Sequence, residues 1–107
     1  VTDEENFYLC VLPAPYHVDV EKLGELIGSD VRLAKEEETK PLFPECEIGA
    51  EPPFGSAFHL PTYVDESLGE YDEIVFRGGT HEKTIKMKYR DYLKLENPTV
   101  ESFRTEE

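Results

Sequence analysis

The stretch from Gly49 to Gly55 combines glycines and prolines in a way that suits recognition of a substrate oxygen. It reads Gly49-Ala50-Glu51-Pro52-Pro53-Phe54-Gly55. Glycine permits positive φ and close backbone approach, whereas proline removes an N–H donor and stiffens the chain. A rigid loop of this kind can direct its remaining N–H groups at a carbonyl oxygen, as an oxyanion hole does. An ordinary turn-rich connection has the same composition, so both interpretations stand.

Two further groups could contribute to the same chemistry. The turn Gly78-Gly79-Thr80-His81 follows an apolar strand, where a histidine can bind a substrate or transfer a proton near neutral pH. Asp65 ends the stretch Thr62–Asp65 and could order a water or a hydroxyl in a pocket. Each has a structural alternative, because His81 also suits a surface hairpin and Asp65 also suits a cap for the following turn.

Other kinds of catalytic chemistry find little support in the residues. The three histidines, with Cys46, lack the close paired spacing of a zinc site. No serine nucleophile elbow and no phosphate-binding glycine pattern is present in the sequence. Cys46 lies between two glutamates, whose charges raise a thiol pKa and weaken a nucleophile. The sequence therefore predicts neither a metal nor a cofactor.

The elements that must position these groups follow from periodicity and turn chemistry. Strands are predicted at residues 7–12, 30–34, 62–65, 73–77 and 83–88, and short helices after the N-cap Asp19 as far as Gly28, within 35–43 and at 91–95. Residues 46–61 form a long loop, and 66–72 a turn. Ile85 and Met87 are expected to face inward, and Val100 and Phe103 to pack back onto the domain. This pattern indicates an α+β fold with about five strands.

The charge distribution is uneven along the chain. The protein has 107 residues and a net charge of −13, which disfavours nonspecific binding to a polyanion. Residues 77–94, however, carry a local balance of +4, through Arg77, Lys83, Lys86, Lys88, Arg90 and Lys94. This segment is either a solvated strand and helix face or a basic edge that faces a phosphate backbone.

Length, hydropathy and cysteine content limit the number of domains and the classes of protein that the chain can belong to. A chain of 107 residues fits one small domain. It contains no apolar run of the roughly 20 residues that span a bilayer, and residues 1–6 do not resemble a signal peptide, so no membrane partner is expected. Cys10 and Cys46 show no metal or redox spacing. A reduced, cytoplasmic setting is the expectation.

Taken together, these stretches resemble the YbaK and prolyl-tRNA synthetase editing-domain family. The resemblance runs through Leu33-Ala34, Leu42-Phe43-Pro44, Cys46-Glu47, Gly49-Ala50, Pro52-Pro53-Phe54-Gly55, Leu60-Pro61, Val64-Asp65, Glu73-Ile74-Val75-Phe76 and Gly79-Thr80-His81, in that order. It implies a mixed α+β fold with a curved, barrel-like sheet flanked by short helices. It also implies that residues 1–107 form a single editing domain.

The resemblance implies a function as well. Members of the family hydrolyse the ester between a wrong amino acid and the 3′ end of tRNA, and tRNA-Pro substrates are expected here. Catalytic roles then fall on Gly49, Pro53 and His81, and substrate binding on Ala50, Phe54, Asp65, Gly79 and Thr80. The implied partners are mischarged tRNA and either an aminoacyl-tRNA synthetase or a fused regulatory domain. A separate hydrolytic step of this kind is useful because a binding pocket distinguishes two amino acids that differ by one methylene by only about 1–3 kcal/mol.

One family feature is expected to lie outside the chain. Family members carry a lysine on an early strand, and that segment is expected to precede Val1. Its absence, together with the negative charge, leaves a second hypothesis open: a non-catalytic binding or regulatory domain. A third is a domain that binds a free amino acid without hydrolysis.

Overall fold

A computed structural model describes residues 1–105 of the chain. These residues form five strands: β1 Leu9–Val11, β2 Thr62–Asp65, β3 Glu73–Arg77, β4 Thr84–Lys88 and β5 Thr99–Glu101. They also form three α-helices: α1 Val20–Ile27, α2 Glu36–Thr39 and α3 Tyr89–Glu96. No helix within this part of the chain is long and apolar enough to cross a membrane.

The strands make two small sheets. In the first, β2 pairs in parallel with both neighbours, so that Leu9 lies opposite Thr62 and Tyr63 opposite Thr99. In the second, β3 and β4 form an antiparallel hairpin. The expected mixture of helices with parallel and antiparallel strands is confirmed. Within residues 1–105 the sheets do not close into a barrel.

Helix α1 forms where its local signals predicted it. The side chain of Asp19 accepts a hydrogen bond from the N–H of Lys22, which satisfies a donor that the first turn leaves free. Gly28 ends the helix with φ +92°, a conformation that glycine adopts without a Cβ penalty. Leu23 is the fully buried side chain of this helix.

The main core lies between β2, the β3–β4 hairpin and α3. Its buried residues are Val64, Leu68, Ile74 and Tyr92, and Met87 packs against them as predicted. Helix α3 is longer than predicted, beginning at Tyr89. It ends where Asn97 takes a left-handed conformation.

One predicted strand was wrong, and one observed strand was not predicted. Residues 30–34 do not form a strand, because this segment has only an isolated bridge, between Arg32 and Thr2, and exposes Leu33. No strand was predicted beyond residue 88, yet β5 pairs with β2. A short edge strand needs only one paired side, so its sequence carries a weak signal.

Some inward-facing predictions were also wrong. Phe103 is fully buried as expected, but Val100 is exposed. Ile85 is 43% exposed, because its side chain lies over Gly78 at the tip of the hairpin instead of in the core.

Residues 36–61 contain only short helical segments, as the prolines in this part of the chain predicted. Helix α2 passes directly into a 3₁₀ turn at Lys40–Leu42, where Pro41 interrupts α-helical hydrogen bonding. The long loop that follows contains a single 3₁₀ turn, Gly55–Phe58, before β2 begins.

Asp65 joins β2 to the C-terminal segment of the described chain. It is fully buried and accepts hydrogen bonds from the N–H groups of Phe103 at 2.8 Å and Arg104 at 3.1 Å. The Arg104 guanidinium lies 3.2 Å away, and both the N–H and the hydroxyl of Ser67 also donate to the carboxylate. Burial by itself raises the pKa of Asp65, but these hydrogen bonds and the charge of Arg104 outweigh burial and hold that pKa below its usual range.

Asp65→Asn is expected to lower the free energy of unfolding by about 2–3 kcal/mol at pH 7, because a charged acceptor is lost from a buried network. The folded-state pKa lies below the unfolded one, so the carboxylate stabilises the fold at neutral pH. That contribution is lost as pH falls below about 4. Urea unfolding at pH 7 and pH 3 measures both effects. The exposed Asp30→Asn variant is the control, and an equal loss in both variants would contradict the prediction.

Candidate active site

The Gly/Pro loop and the histidine turn are held together by hydrogen bonds. The N–H of Glu47 donates to the carbonyl of Gly79 at 2.7 Å, and the N–H of Gly79 donates to the carbonyl of Ala50 at 2.9 Å. The N–H of His81 donates to the Glu47 carboxylate at 2.6 Å. Two segments about 30 residues apart in sequence therefore form one surface. The sequence patterns of the loop and of the turn did not by themselves indicate that the two lie together.

Both segments use backbone conformations that favour glycine. Gly49 has φ +82° and Gly79 has φ +100°. A Cβ on Gly49 would lie 3.6 Å from the His81 ring, and one on Gly79 would lie 3.9 Å from the sulfur of Cys46. Space is therefore sufficient at both positions, and the positive φ is what restricts them to glycine.

The His81 ring has a defined proton position. Its Nε2 lies 2.8 Å from the carbonyl oxygen of Ile48. A carbonyl oxygen only accepts hydrogen bonds, so Nε2 carries the proton. In the neutral ring Nδ1 is then the acceptor, on an exposed residue. It can accept a hydrogen bond from a hydroxyl or a water.

The backbone donors of the Gly/Pro loop are mostly occupied. The N–H of Gly49 donates to both carboxylate oxygens of Glu51, at 2.9 and 3.1 Å. The N–H of Ala50 donates to the carbonyl of Glu47, and the two prolines have no N–H. The Glu51 carboxylate thus lies where a substrate oxygen would have to lie to accept a hydrogen bond from the Gly49 N–H.

Helix α3 supports the loop from behind. The Tyr92 hydroxyl donates to the carbonyl of Pro53 at 2.6 Å, and the rings of Phe54 and Tyr92 meet edge to face. At the end of the helix, Glu96 accepts hydrogen bonds from both Ser56 and Thr62. The hydroxyl of Thr62 also accepts from the N–H of Gly55.

An apolar cavity lies beside the same loop and shares Pro53 with it. The cavity has a volume of about 300 Å³ and is lined mainly by the segment after β1 and by β3. Leu12, Pro13, Ile74 and Phe76 are among its walls. It can hold a small apolar group close to the loop.

Cys46 lies next to the site but is a poor nucleophile. Burial raises the pKa of its thiol, and the charges of Glu51 and Glu45 raise it further. The direction predicted from the sequence is confirmed, but burial is the largest single cause, and Glu51 takes the place of Glu47 beside Glu45.

The chain matches the sequence model described as the aminoacyl-tRNA editing domain over residues 1–95. It belongs to the aminoacyl-tRNA editing domain family. The resemblance seen in the sequence is thereby confirmed, and so is the fold that it implied.

Relatives with this domain are longer than the chain. It is 35% identical over 98 residues to the multifunctional Ser/Thr-tRNA deacylase ProXp-y of Escherichia coli K12, and the match covers 90% of this chain and 58% of that protein. A crystal structure of a candidate trans-editing enzyme for prolyl tRNA synthetase superposes with a TM-score of 0.80 at 30% identity, over 92% of this chain and 62% of the other. The chain thus spans about three-fifths of these relatives.

A third similarity concerns the fold alone. A candidate signal transduction protein from Marinobacter aquaeolei VT8 superposes with a TM-score of 0.73 at 19% identity. The match covers 91% of this chain but 22% of the other protein. The editing fold therefore occurs within a much larger chain.

The editing domain brings together some of the predicted site residues. Gly49, Ala50, Gly79 and His81 meet directly, with Gly49 and His81 exposed and the other two buried beneath them. Thr80 lies in the same turn. Pro53 and Phe54 lie behind the loop against α3, whereas the Asp65 oxygens are committed to the C-terminal segment.

Four contributors were not predicted from the sequence as site residues. Glu47 and Glu51 bind backbone N–H groups of the site, and Tyr92 and Glu96 support the loop. The glutamates could have been suspected from their position inside a Gly/Pro loop that needs acceptors. The α3 residues gave no such signal, because they lie about 40 residues from the groups that they bind.

Tyr92→Phe is expected to lower the free energy of unfolding by about 1–3 kcal/mol, because it leaves the buried carbonyl of Pro53 without a donor. Tyr89→Phe is the matched control, since its hydroxyl has no hydrogen-bond partner among residues 1–105. Urea unfolding measures both variants. Equal stability of the two would show that the Pro53 hydrogen bond contributes nothing.

Proposed function

We propose that the protein is an aminoacyl-tRNA deacylase that acts in trans on mischarged tRNA. The observation that carries the proposal is the joined surface of Gly49 and His81, in a chain that belongs to the editing-domain family. The two exposed residues flank one point, where an ester at the 3′ end of a tRNA could lie. A synthetase that releases the mischarged tRNA is the natural partner.

Ester hydrolysis needs few groups from the protein. A water attacks the ester carbonyl carbon, the bond to the ribose oxygen breaks, and the ribose hydroxyl leaves with a proton. The Gly49 N–H, once it is released from the Glu51 carboxylate, stabilises the negative charge on the carbonyl oxygen, and no protein nucleophile is required. Nδ1 of His81 accepts a hydrogen bond from the ribose hydroxyl or the water and so orients it.

The other predicted residues divide by their exposure. Thr80 is partly exposed beside His81 and is assigned to contact with substrate. Ala50 and Gly79 are buried, and their assigned role is indirect: the hydrogen bond between them holds the backbone of the loop and the turn in place beside the substrate. Asp65 is assigned the same indirect role, because its oxygens already have partners.

The amino acid to be removed is proposed to be small and polar, such as serine or threonine. The support is the 35% identity to a Ser/Thr-tRNA deacylase. The expected preference for tRNA-Pro is not confirmed by that relative, and it remains an arm of the assay.

The test is hydrolysis of a panel of aminoacyl-tRNAs by the purified protein. Seryl and threonyl esters on noncognate tRNAs are compared with mischarged tRNA-Pro and with cognate prolyl-tRNA-Pro. Release of serine or threonine well above the buffer rate is expected. No release from any member of the panel would remove the proposed activity.

His81→Ala and Gly49→Ala are each expected to slow deacylation at least tenfold. The first removes the ring that binds Ile48, and the second places a Cβ in a left-handed conformation that costs about 1–2 kcal/mol. Single-turnover rates measure the effect. His17→Ala changes an exposed histidine elsewhere and should keep the full rate. Full activity in both site variants would place the chemistry elsewhere.

Glu51→Ala is expected to raise kcat/KM about fivefold, because it frees the Gly49 N–H from a competing hydrogen bond of about 1 kcal/mol. Glu45→Ala removes a charge from the turn just before the loop without freeing that donor, and it controls for simple repulsion of tRNA. A slower Glu51→Ala variant would show instead that this carboxylate assists the reaction.

A second candidate is a non-catalytic editing-like domain of a larger protein. It is favoured by the occurrence of the fold as 22% of a candidate signal transduction protein. Binding of uncharged tRNA or a free amino acid with no hydrolysis in the panel would support it. The two candidates are therefore separated by the same assay.

A further inference from the structure

The β3–β4 hairpin presents one of its two faces to solvent. Alternation along the paired strands places Ile74, Phe76 and Met87 on the face that packs toward the core. The opposite face consists of Glu73, Val75, Arg77, Thr84, Lys86 and Lys88, all of which are exposed. We refer to these six residues as the outward face.

The outward face and its surroundings are basic in an acidic protein. Six of the chain's 11 lysines and arginines fall between residues 77 and 94, although the net charge is −13. The Lys86 side chain is 64% exposed, and its ammonium lies 4.0 Å from Glu73, at the limit of an ion pair. Lys83, Lys88 and Arg90 have no acidic partner within ion-pair distance among residues 1–105.

The position of this face relative to the site gives it a use. The tip of the hairpin is the turn that contains His81, and Arg77 fixes that tip by donating to the His81 carbonyl at 2.9 Å and to Thr84. A strand of five residues extends about 17 Å. Strand β4 leads away from the site, and Lys86 and Lys88 therefore lie within about 17 Å of the hairpin tip.

We propose that the outward face binds the phosphate backbone of the tRNA acceptor stem, so that the aminoacylated 3′ end reaches the hairpin tip. The proposal rests on the proposed function and adds the surface that would orient the substrate. Charge complementarity carries it, since exposed ammonium groups such as those of Lys86 and Lys88 bind phosphates and release counterions from the nucleic acid. The acidic remainder of the chain repels tRNA and would restrict docking to this side.

The test is the double variant Lys86→Gln/Lys88→Gln, at two exposed positions where a polar side chain leaves the core untouched. At about 0.1 M salt, KM for an aminoacyl-tRNA substrate is expected to rise on the order of tenfold for each phosphate that the variant no longer binds, with kcat unchanged. The slope of log KM against log salt should become shallower by about two. Lys22→Gln/Lys40→Gln, which removes the same charge outside the hairpin, is the control.

A substrate without phosphates sharpens the test. Hydrolysis of an aminoacyl-adenosine ester should be the same for the wild type and the Lys86/Lys88 variant, because this ester cannot reach the outward face. Equal losses in the control pair, or a loss with aminoacyl-adenosine, would overturn the proposal. So would an unchanged KM for tRNA.

The outcome can be separated from that of the proposed function. If the protein hydrolyses no ester, uncharged tRNA is titrated at several salt concentrations. Binding that loses about two units of salt slope in the Lys86/Lys88 variant would support the docking surface even then. Binding with the wild-type slope, or no binding by either protein, would overturn it.

Discussion

The contact between residues 47–50 and the turn at 79–81 is the interaction on which the candidate site depends. Three of its hydrogen bonds involve backbone N–H groups of Glu47, Gly79 and His81. Each contributes only about 1 kcal/mol, but together they fix the spacing of two loops that the strands alone would leave free. Because the donors are backbone groups, the contact requires particular conformations more than particular side chains, apart from the Glu47 carboxylate and the two glycines.

Much of the fold could be predicted where its signals are local. Helix α1 followed from Asp19 and Gly28, and the two strands of the hairpin followed from an apolar stretch before the Gly-Gly turn and an alternating stretch after it. Strand β5 could not be predicted, because its pairing with β2 is non-local and its three residues, of which two are polar, are too few to show a pattern. Residues 30–34 show the reverse case: they are strand-like in sequence, yet they form only the isolated bridge between Arg32 and Thr2.

The sequence indicated which segments form the site, but it did not indicate which residues bond to one another within it. Glycine and proline content indicated the loop, and His81 indicated the turn, but no local pattern placed Glu51 on the Gly49 N–H. Asp65 shows the opposite difficulty. Its position at the end of a strand suggested either a pocket or a cap for the following turn. Asp65 does cap that turn by accepting from the Ser67 N–H, but its hydrogen bonds to Phe103 and Arg104 depend on residues almost 40 positions later. Distant partners of this kind decide whether a carboxylate faces a substrate or the interior.

The parallel pairing of β2 has a consequence for how the chain folds. Leu9 and Thr62 are paired across about fifty intervening residues, so β1 cannot complete its hydrogen bonding until most of the domain has been synthesised. Such long-range pairings raise the contact order, and domains rich in them fold in milliseconds to seconds, well behind helical bundles. During that interval the apolar segment around Cys10 has an unpaired edge. Early aggregation during expression would therefore begin at β1.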